Sequence, residues 1–332
     1  MSHTVPAEEG LEFGLEMADR RDHLMSRCIE IGAEVREALA DRRPVVALES
    51  TLIAHGLPRP QNLETALELE RVVRREGAVP ATVGIAAGRI VVGLDRQTLG
   101  VLAGSDDVLK VSRRGLATAV AAAGLGATTV AATMWIAARS GIGVMATGGI
   151  GGVHRGGESN LDVSADLREV GRTDVAVVCS GAKAILDLAR TLEVLETEGV
   201  PVLGFQTDYF PAFYSRDSGA KVSQRVDSAR VAAELLAIHR SLDLGSGVLI
   251  TQPPPAGSAI ERNEVEGWIE TALAEAGAKG VAGEEVTPFL LARLTELSGG
   301  RTLDTNRALL VANASLAAQI AVELSRIETE QQ

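Results

Sequence analysis

An α/β fold with a mainly parallel sheet, covered by helices on both faces, is what this sequence predicts. Short uninterrupted apolar runs alternate along the chain with segments of helical periodicity. Strands separated by helices of about 10–15 residues build parallel sheets. The longest Gly-rich stretch, GGIGGVHRGGESN at 148–160, follows one of the apolar runs. In open α/β sheets, ligands collect at the carboxyl ends of strands, so a site belongs there.

Through residues 24–40, apolar positions recur at helical spacing with charged residues between them, so a helix is expected. Residues 44–48 (PVVAL) form a continuous apolar run, the mark of a buried strand. The pairing repeats with an amphipathic helix over 61–76 and then VPATVGIAAGRIVVGL, two strands with Gly88-Arg89 at a hairpin turn. Helices are expected over 113–123 and 182–198, and strands over 143–146 (GVMA), 174–179 (DVAVVC), 201–205 (PVLGF) and 247–251 (GVLIT). Beyond Ile260 the pattern is almost purely helical. No composition break marks a linker and no internal repeat is seen, so residues 24–330 are expected to form one domain. Residues 1–23 are expected to be a loosely ordered extension.

The 332 residues include 32 Lys and Arg against 44 Asp and Glu, a formal net charge of -12. With 46% hydrophobic and 23% charged residues, the composition is that of a soluble globular protein. The acidic balance argues against a nucleic-acid polymer or an anionic membrane as partner, since both need positive fields. It leaves room for a local basic pocket. Aromatics are only 3%, too few for a base-stacking platform. The N-terminus, MSHTVPAEEGLEFGLEMADRRD, lacks the basic start and apolar core of a signal peptide. The most apolar stretch by eye, ATTVAATMWIAA at 127–138, is about half the length that spans a bilayer. Cys28 and Cys179 lie far apart and make neither a disulfide framework nor a metal knuckle. A reducing, cytoplasmic setting is expected.

Five places could carry chemistry. Glu49 closes the run ALEST ahead of the loop HGLPRP; a carboxyl at the end of a buried strand is desolvated, which suits a general acid, or it caps the loop or pairs with Arg59. Lys110-Val111-Ser112-Arg113-Arg114 precedes a helical pattern and reads as a phosphate cradle or as a solvated basic patch. The Gly-rich loop carries His154 and Arg155 and runs into Asp162-Val163-Ser164-Ala165-Asp166. Glycines admit close backbone approach, and oxygen ligands at Asp162 suit Mg²⁺ or Mn²⁺; the alternative is an Asp helix cap within 162–166 and a tight packing loop. Lys183 follows the apolar run DVAVVC, where lost hydration frees an amine as nucleophile, or it lies on the first turn of a surface helix. Asn306 near the start of the final helical stretch is a pocket residue or a cap. No CxxC, HExxH, phosphate-binding GxxxxGK[ST] or GxSxG motif occurs, GGIGG lacks dinucleotide spacing, and the five histidines give no zinc-ligand pattern.

Together the runs ALESTLIAHGLPRPQN, KVSRR, GATTVAATM, ATGGIGGVHRG, LDVSADL, VVCSGAKAILDL, VPVLGFQTD, EEVTPFLLARLTELSGG and TNRALLVANA, in this order, resemble the pseudouridine-5'-phosphate glycosidases, also called indigoidine synthase A-like proteins. The resemblance covers the chain from about Pro44 to about Glu323. It implies a single three-layer α/β/α domain, a homotrimer, a divalent metal, typically Mn²⁺, and a small-molecule substrate. The implied activity is that of a carbon–oxygen hydro-lyase, reversibly cleaving pseudouridine 5'-phosphate to uracil and ribose 5-phosphate. Carried over by position, Glu49 matches the proton donor and Lys183 the covalent, Schiff-base nucleophile. Lys110, Val130, Ser164, Ala165 and Asp166 match substrate-contacting positions, and Asp162 matches the metal ligand. Ser112, Thr147, His154 and Asn306 fall in motifs that line the family's pocket. Gly115 departs from the pattern, which has an acidic residue there. A different Lys-dependent sugar-phosphate lyase or aldolase, or a non-catalytic nucleotide-binding protein, would use the same pocket.

Overall fold

The computed structural model describes residues 28–156, 161–281 and 286–330. The expected extension at 1–23 lies outside them. In chain order come β1 (Ile29–Ile31), α1 (Ala33–Ala40), β2 (Val45–Leu48), a π-helical turn (Leu52–Gly56), α2 (Gln61–Arg75), β3 (Val79–Ala86), β4 (Arg89–Val92) and α3 (Arg96–Gly104). Next are β5 (Val108–Val111), a 3-10 turn (Arg113–Gly115), α4 (Leu116–Ala121), β6 (Leu125–Thr128), α5 (Val130–Arg139), β7 (Val144–Ala146), β8 (Val153–His154) and α6 (Ala165–Val170). The remainder is β9 (Ala176–Cys179), β10 (Leu186–Asp187), α7 (Leu188–Thr197), β11 (Val202–Phe205), β12 (Gln224–Val226), α8 (Ala229–Ser241), β13 (Val248–Thr251), α9 (Arg262–Ala278), α10 (Val286–Leu297) and α11 (Arg301–Glu330).

The main sheet runs β1-β4-β3-β2-β7-β9-β13-β11-β12, with β6 joining at β3 and β5 beyond β6. Its centre is parallel: β2 pairs with β3 and β7, β7 with β9, and β9 with β13. Every residue of β2, β7, β9 and β13 is buried, as strands covered on both faces require. The expected hairpin forms between antiparallel β3 and β4. Ala87 (φ 49°) and Gly88 (φ 75°) are both left-handed, which a two-residue turn of the right twist demands.

Sequence and structure part at three elements. Of the helix expected over 24–40, the described part begins only at Ala33, and Ile29–Ile31 instead pair in parallel with Ile90–Val92. The helix expected over 113–123 opens with a 3-10 turn and ends at Ala121. The helix expected over 182–198 starts at Leu188, because β10 holds Leu186–Asp187 extended against β8 and the Asp187 side chain caps α7 through Arg190 N.

α11 spans 30 residues and packs across β2, β7 and β9, flanked by α2 and α8. Among the described residues it, and not the stretch at 127–138, is long and apolar enough to cross a membrane; 56% of its most apolar window is buried inside the fold. Leu309, Leu310, Asn313, Ala314, Leu316, Ala317 and Ile320 are all buried, the wide apolar face of a core helix.

Candidate active site

The parallel register puts Leu48, Ala146 and Val178 side by side, so the next residues, Glu49, Thr147 and Cys179, stand level at the carboxyl ends of β2, β7 and β9. Level residues of a parallel sheet share a face. Accordingly the Thr147 hydroxyl donates to Glu49 Oε1. Glu49 is only 7% exposed. Burial holds its carboxyl above the ordinary carboxylate range, with Asp166 pushing the same way and Lys183, Thr147 and Lys110 pulling back. Those partners place four sequence-predicted residues in one neighbourhood. Arg59 is not Glu49's partner: it pairs with Asp106 at 2.8 Å and donates to Ala103 O.

Lys183 sits in a loop and not on a helix. Gly181 (φ 79°) turns the chain there, and a Cβ at that position would stand 2.3 Å from Pro211 O, so only glycine fits. Lys183 N then donates to Ile150 O, and the half-buried side chain reaches back so that Nζ donates to Gly149 O at 3.1 Å. Cys179, four residues earlier at the end of β9, is no rival nucleophile: burial pushes its thiol up to about 12, so it stays protonated.

Asp166, also 7% exposed, accepts from Ala131 N at 2.9 Å through Oδ1 and from Gly151 N at 2.8 Å through Oδ2. It thereby ties the start of α5, at Val130, to the Gly-rich loop. Ser164 caps α6, its hydroxyl accepting from Asp166 N, with Ala165 the first helical residue. A Cβ at Gly151 would meet Ser164 Oγ at 2.2 Å, so this closeness requires glycine. The segment does hold a helix cap, but it is Ser164 and not an aspartate: Asp162 lies before the helix and Asp166 inside it. Asn306 lies in the second turn of α11 and is no cap; its Oδ1 would be 3.4 Å from a Cβ on Gly148.

Lys110 is exposed at the end of β5, near enough to Glu49 to pull its pKa down. Ser112 Oγ is buried and has no hydrogen-bond partner. Arg113 turns away from Lys110 and Ser112, pairing with the fully buried Glu169 at 2.8 Å. His154 Nδ1 is 3.8 Å from Asp162 Oδ2, and His154 N donates to Asp162 O. Among the described residues no three His, Cys, Asp or Glu side chains form an ion cage. One carboxylate with an imidazole beside it fits a hard divalent ion that keeps most of its waters, and does not fit a closed zinc site. Residues 157–160 of the Gly-rich loop lie outside the described residues. Surface hollows of about 640 and 850 Å³ lie elsewhere and include none of these residues; both are open, and the convergent polar groups mark the site better than their volume does.

Three residues carry more here than their sequence suggests. Asn313, fully buried, donates to Thr147 O at 2.9 Å and Ser180 Oγ at 3.2 Å, pinning two strand ends to α11. A lone amide inside LLVANASLAA is the signal that could have found it. Phe213 (φ 64°) covers Gly149, where a Cβ would stand 2.6 Å from its ring; nothing local in the sequence announces it. Glu169 gathers Arg113, Arg172 and Thr173.

Comparison with known proteins agrees with the geometry. The sequence profile of the indigoidine synthase A-like proteins matches residues 34–323. The pseudouridine-5'-phosphate glycosidase of Methylobacterium nodulans is 57% identical over 296 residues, covering 89% of this chain and 88% of the relative. That of Caldanaerobacter subterraneus subsp. tengcongensis is 51% identical, covering 92% of this chain and 100% of the relative. The crystal structure of the prealnumycin C-glycosynthase AlnA in complex with ribulose 5-phosphate superposes with a TM-score of 0.86 at 43% identity, over 92% of this chain and 99% of that one. An indigoidine synthase A-like protein from Thermotoga maritima gives 0.82 at 38% identity, over 90% and 97%. With its profile matched nearly end to end and its strand-end carboxyl and lysine converging, the chain belongs to the indigoidine synthase A-like family.

Proposed function

We propose that this protein reversibly cleaves the carbon–carbon glycosidic bond of pseudouridine 5'-phosphate to uracil and ribose 5-phosphate, with Glu49 as proton donor and Lys183 as covalent nucleophile. The observation that carries the reading is a burial-raised carboxyl with a lysine amine near enough to act on it, both beyond the carboxyl ends of central strands. The relatives named pseudouridine-5'-phosphate glycosidase support it.

An ordinary glycosidase protonates a leaving oxygen or nitrogen. A C-glycoside offers none between sugar and base, so an electron sink has to be made. Glu49 gives its proton to the ribose ring oxygen as the C1'–O bond breaks, and Lys183 Nζ forms a bond to C1'. The ammonium formed at Lys183 gives a proton to the Glu49 carboxylate, which passes it to uracil C5; the nitrogen lone pair then forms the iminium as the C1'–C5 bond breaks with its electrons passing to the base. Water adds to the iminium, freeing ribose 5-phosphate and the amine. The raised carboxyl keeps a proton available for the first step. Gly149 O orients the amine before attack. Lys110 and the unpartnered Ser112 hydroxyl bind the 5'-phosphate, a non-reacting handle that positions C1'. Val130, Ser164, Ala165, Asp166 and Asn306 shape the rest of the pocket. Asp162, with His154 beside it, would hold the divalent cation, Mn²⁺, which when bound supplies a fixed positive charge beside the Gly-rich loop. The protein acts as a homotrimer in this reading.

The test is uracil release from pseudouridine 5'-phosphate with Mn²⁺, beside Lys183→Ala and borohydride trapping with ribose 5-phosphate. Release that vanishes in the variant, with trapped mass at Lys183, is expected. Near-normal turnover in Lys183→Ala, or a label on another residue, would remove the covalent step.

A further inference from the structure

We infer that Glu169, outside the pocket and touching no reacting atom, is a positioning residue for the phosphate end of the substrate, acting through Arg113. The inference rests on the reading above that Lys110 and Ser112 hold the 5'-phosphate.

Glu169 is fully buried in α6, yet it keeps both carboxylate oxygens occupied. Oε1 accepts from Arg113 at 2.8 Å and from Thr173 Oγ1 at 2.7 Å; Oε2 accepts from Arg172 at 2.6 Å. Arg113 also lies over the Trp135 ring of α5 at 5.9 Å, a ring that Arg139 flanks at 5.4 Å. Arg113 reaches the carboxylate through Nη1 alone, 2.8 Å from Oε1 and 3.0 Å from Oε2, and with its guanidinium over an indole it has little freedom left. What is thereby fixed matters. Arg113 follows Ser112 directly and opens the 3-10 turn beyond β5, so its anchor sets where the Ser112 hydroxyl and Lys110 stand. At the other end of the same short helix lie its cap Ser164 and Ala165 and Asp166, which in the reading above shape the rest of the pocket. The Arg113–Glu169 pair therefore acts as a strut of fixed length between the two halves of the substrate site. Ser112 Oγ, buried and unpartnered, is the group that gains most from it: a hydroxyl held without a protein acceptor is ready to donate to an anion.

A purely structural ion pair would, when broken, lower the folded fraction and weaken all ligands alike. A strut weakens only ligands that carry the phosphate. Binding of ribose 5-phosphate, and separately of uracil, is measured by calorimetry on the wild type, Lys110→Ala, Glu169→Gln and Arg113→Lys, with circular dichroism reporting folding. The expected result is ribose 5-phosphate binding weakened about tenfold to a hundredfold in Glu169→Gln and Arg113→Lys, uracil binding unchanged, and KM raised with kcat retained. Arg113→Lys keeps the charge and loses the guanidinium that lies over Trp135, so it decides the matter if Glu169→Gln does not fold. Unchanged or tighter ribose 5-phosphate binding in the folded variants, or equal weakening of both ligands, overturns the strut. Wild-type binding that Lys110→Ala leaves intact would instead overturn the phosphate site itself.

Discussion

Glu49 is the residue whose environment speaks most directly about chemistry. Its carboxyl favours the neutral form because burial disfavours the charge. As the acid it must be protonated, so kcat/KM falls as pH rises through its raised pKa. Glu49→Gln is expected to lose about a hundredfold to ten-thousandfold in turnover and this alkaline limb with it, with little change in substrate binding; unchanged turnover would end the acid role. Stability falls in the same direction. A group whose pKa is higher folded than unfolded stabilises fully below the unfolded value and loses that contribution as pH rises through the folded one. Thermal unfolding in acid and alkaline buffer is therefore expected to show Glu49→Gln close to wild type in acid and more stable than wild type in alkali. Charge alone would not have revealed this: in the sequence Glu49 is one carboxylate among many, and its isolation follows from where β2 ends.

Elements were legible wherever periodicity is local. The uninterrupted runs behind β2, β9, β11 and β13 and the amphipathic pattern of α2 correspond to the observed elements within a residue or two. Misreadings came where a tertiary contact overrides propensity. AKAILDL favours a helix, but the turn at Gly181 and pairing with β8 hold it open, and this is what turns Lys183 inward. Ile29–Ile31 carry helix-compatible spacing and become a strand only because β4 offers an edge. The Gly149 contact could not be read at all, since its partner, Phe213, comes from a loop far along the chain. Gly149→Ala is expected to push the Phe213 ring, cost about 1–3 kcal/mol by overpacking, and displace the carbonyl that holds Lys183, lowering turnover. Adding Phe213→Ala should restore part of that turnover in assays of the double variant. A turnover loss left unchanged by the second substitution would show that the ring does not act on Gly149.

For the whole molecule, the family was written in segment order and confirmed by fold and profile, whereas assembly and metal content leave no trace in one chain's periodicity. If, as proposed, Asp162 with His154 beside it holds the cation, two donors are too few to grip it strongly. Chelation is accordingly expected to strip the metal easily: EDTA should lower uracil release and added Mn²⁺ restore it, with no change in the folded state by circular dichroism. Light scattering is expected to give three times the mass of the chain, and a monomer at full activity would refute the trimer. α11 follows every strand in chain order, and it alone carries Asn306 and Asn313 to the ends of β7 and β9. During translation the sheet emerges first, and its strand-end loops stay unpinned until residues 306–313 leave the ribosome. A nascent chain that has completed its sheet still lacks the helix that closes the core and pins the strand ends, so core and site are finished together, by the last element made.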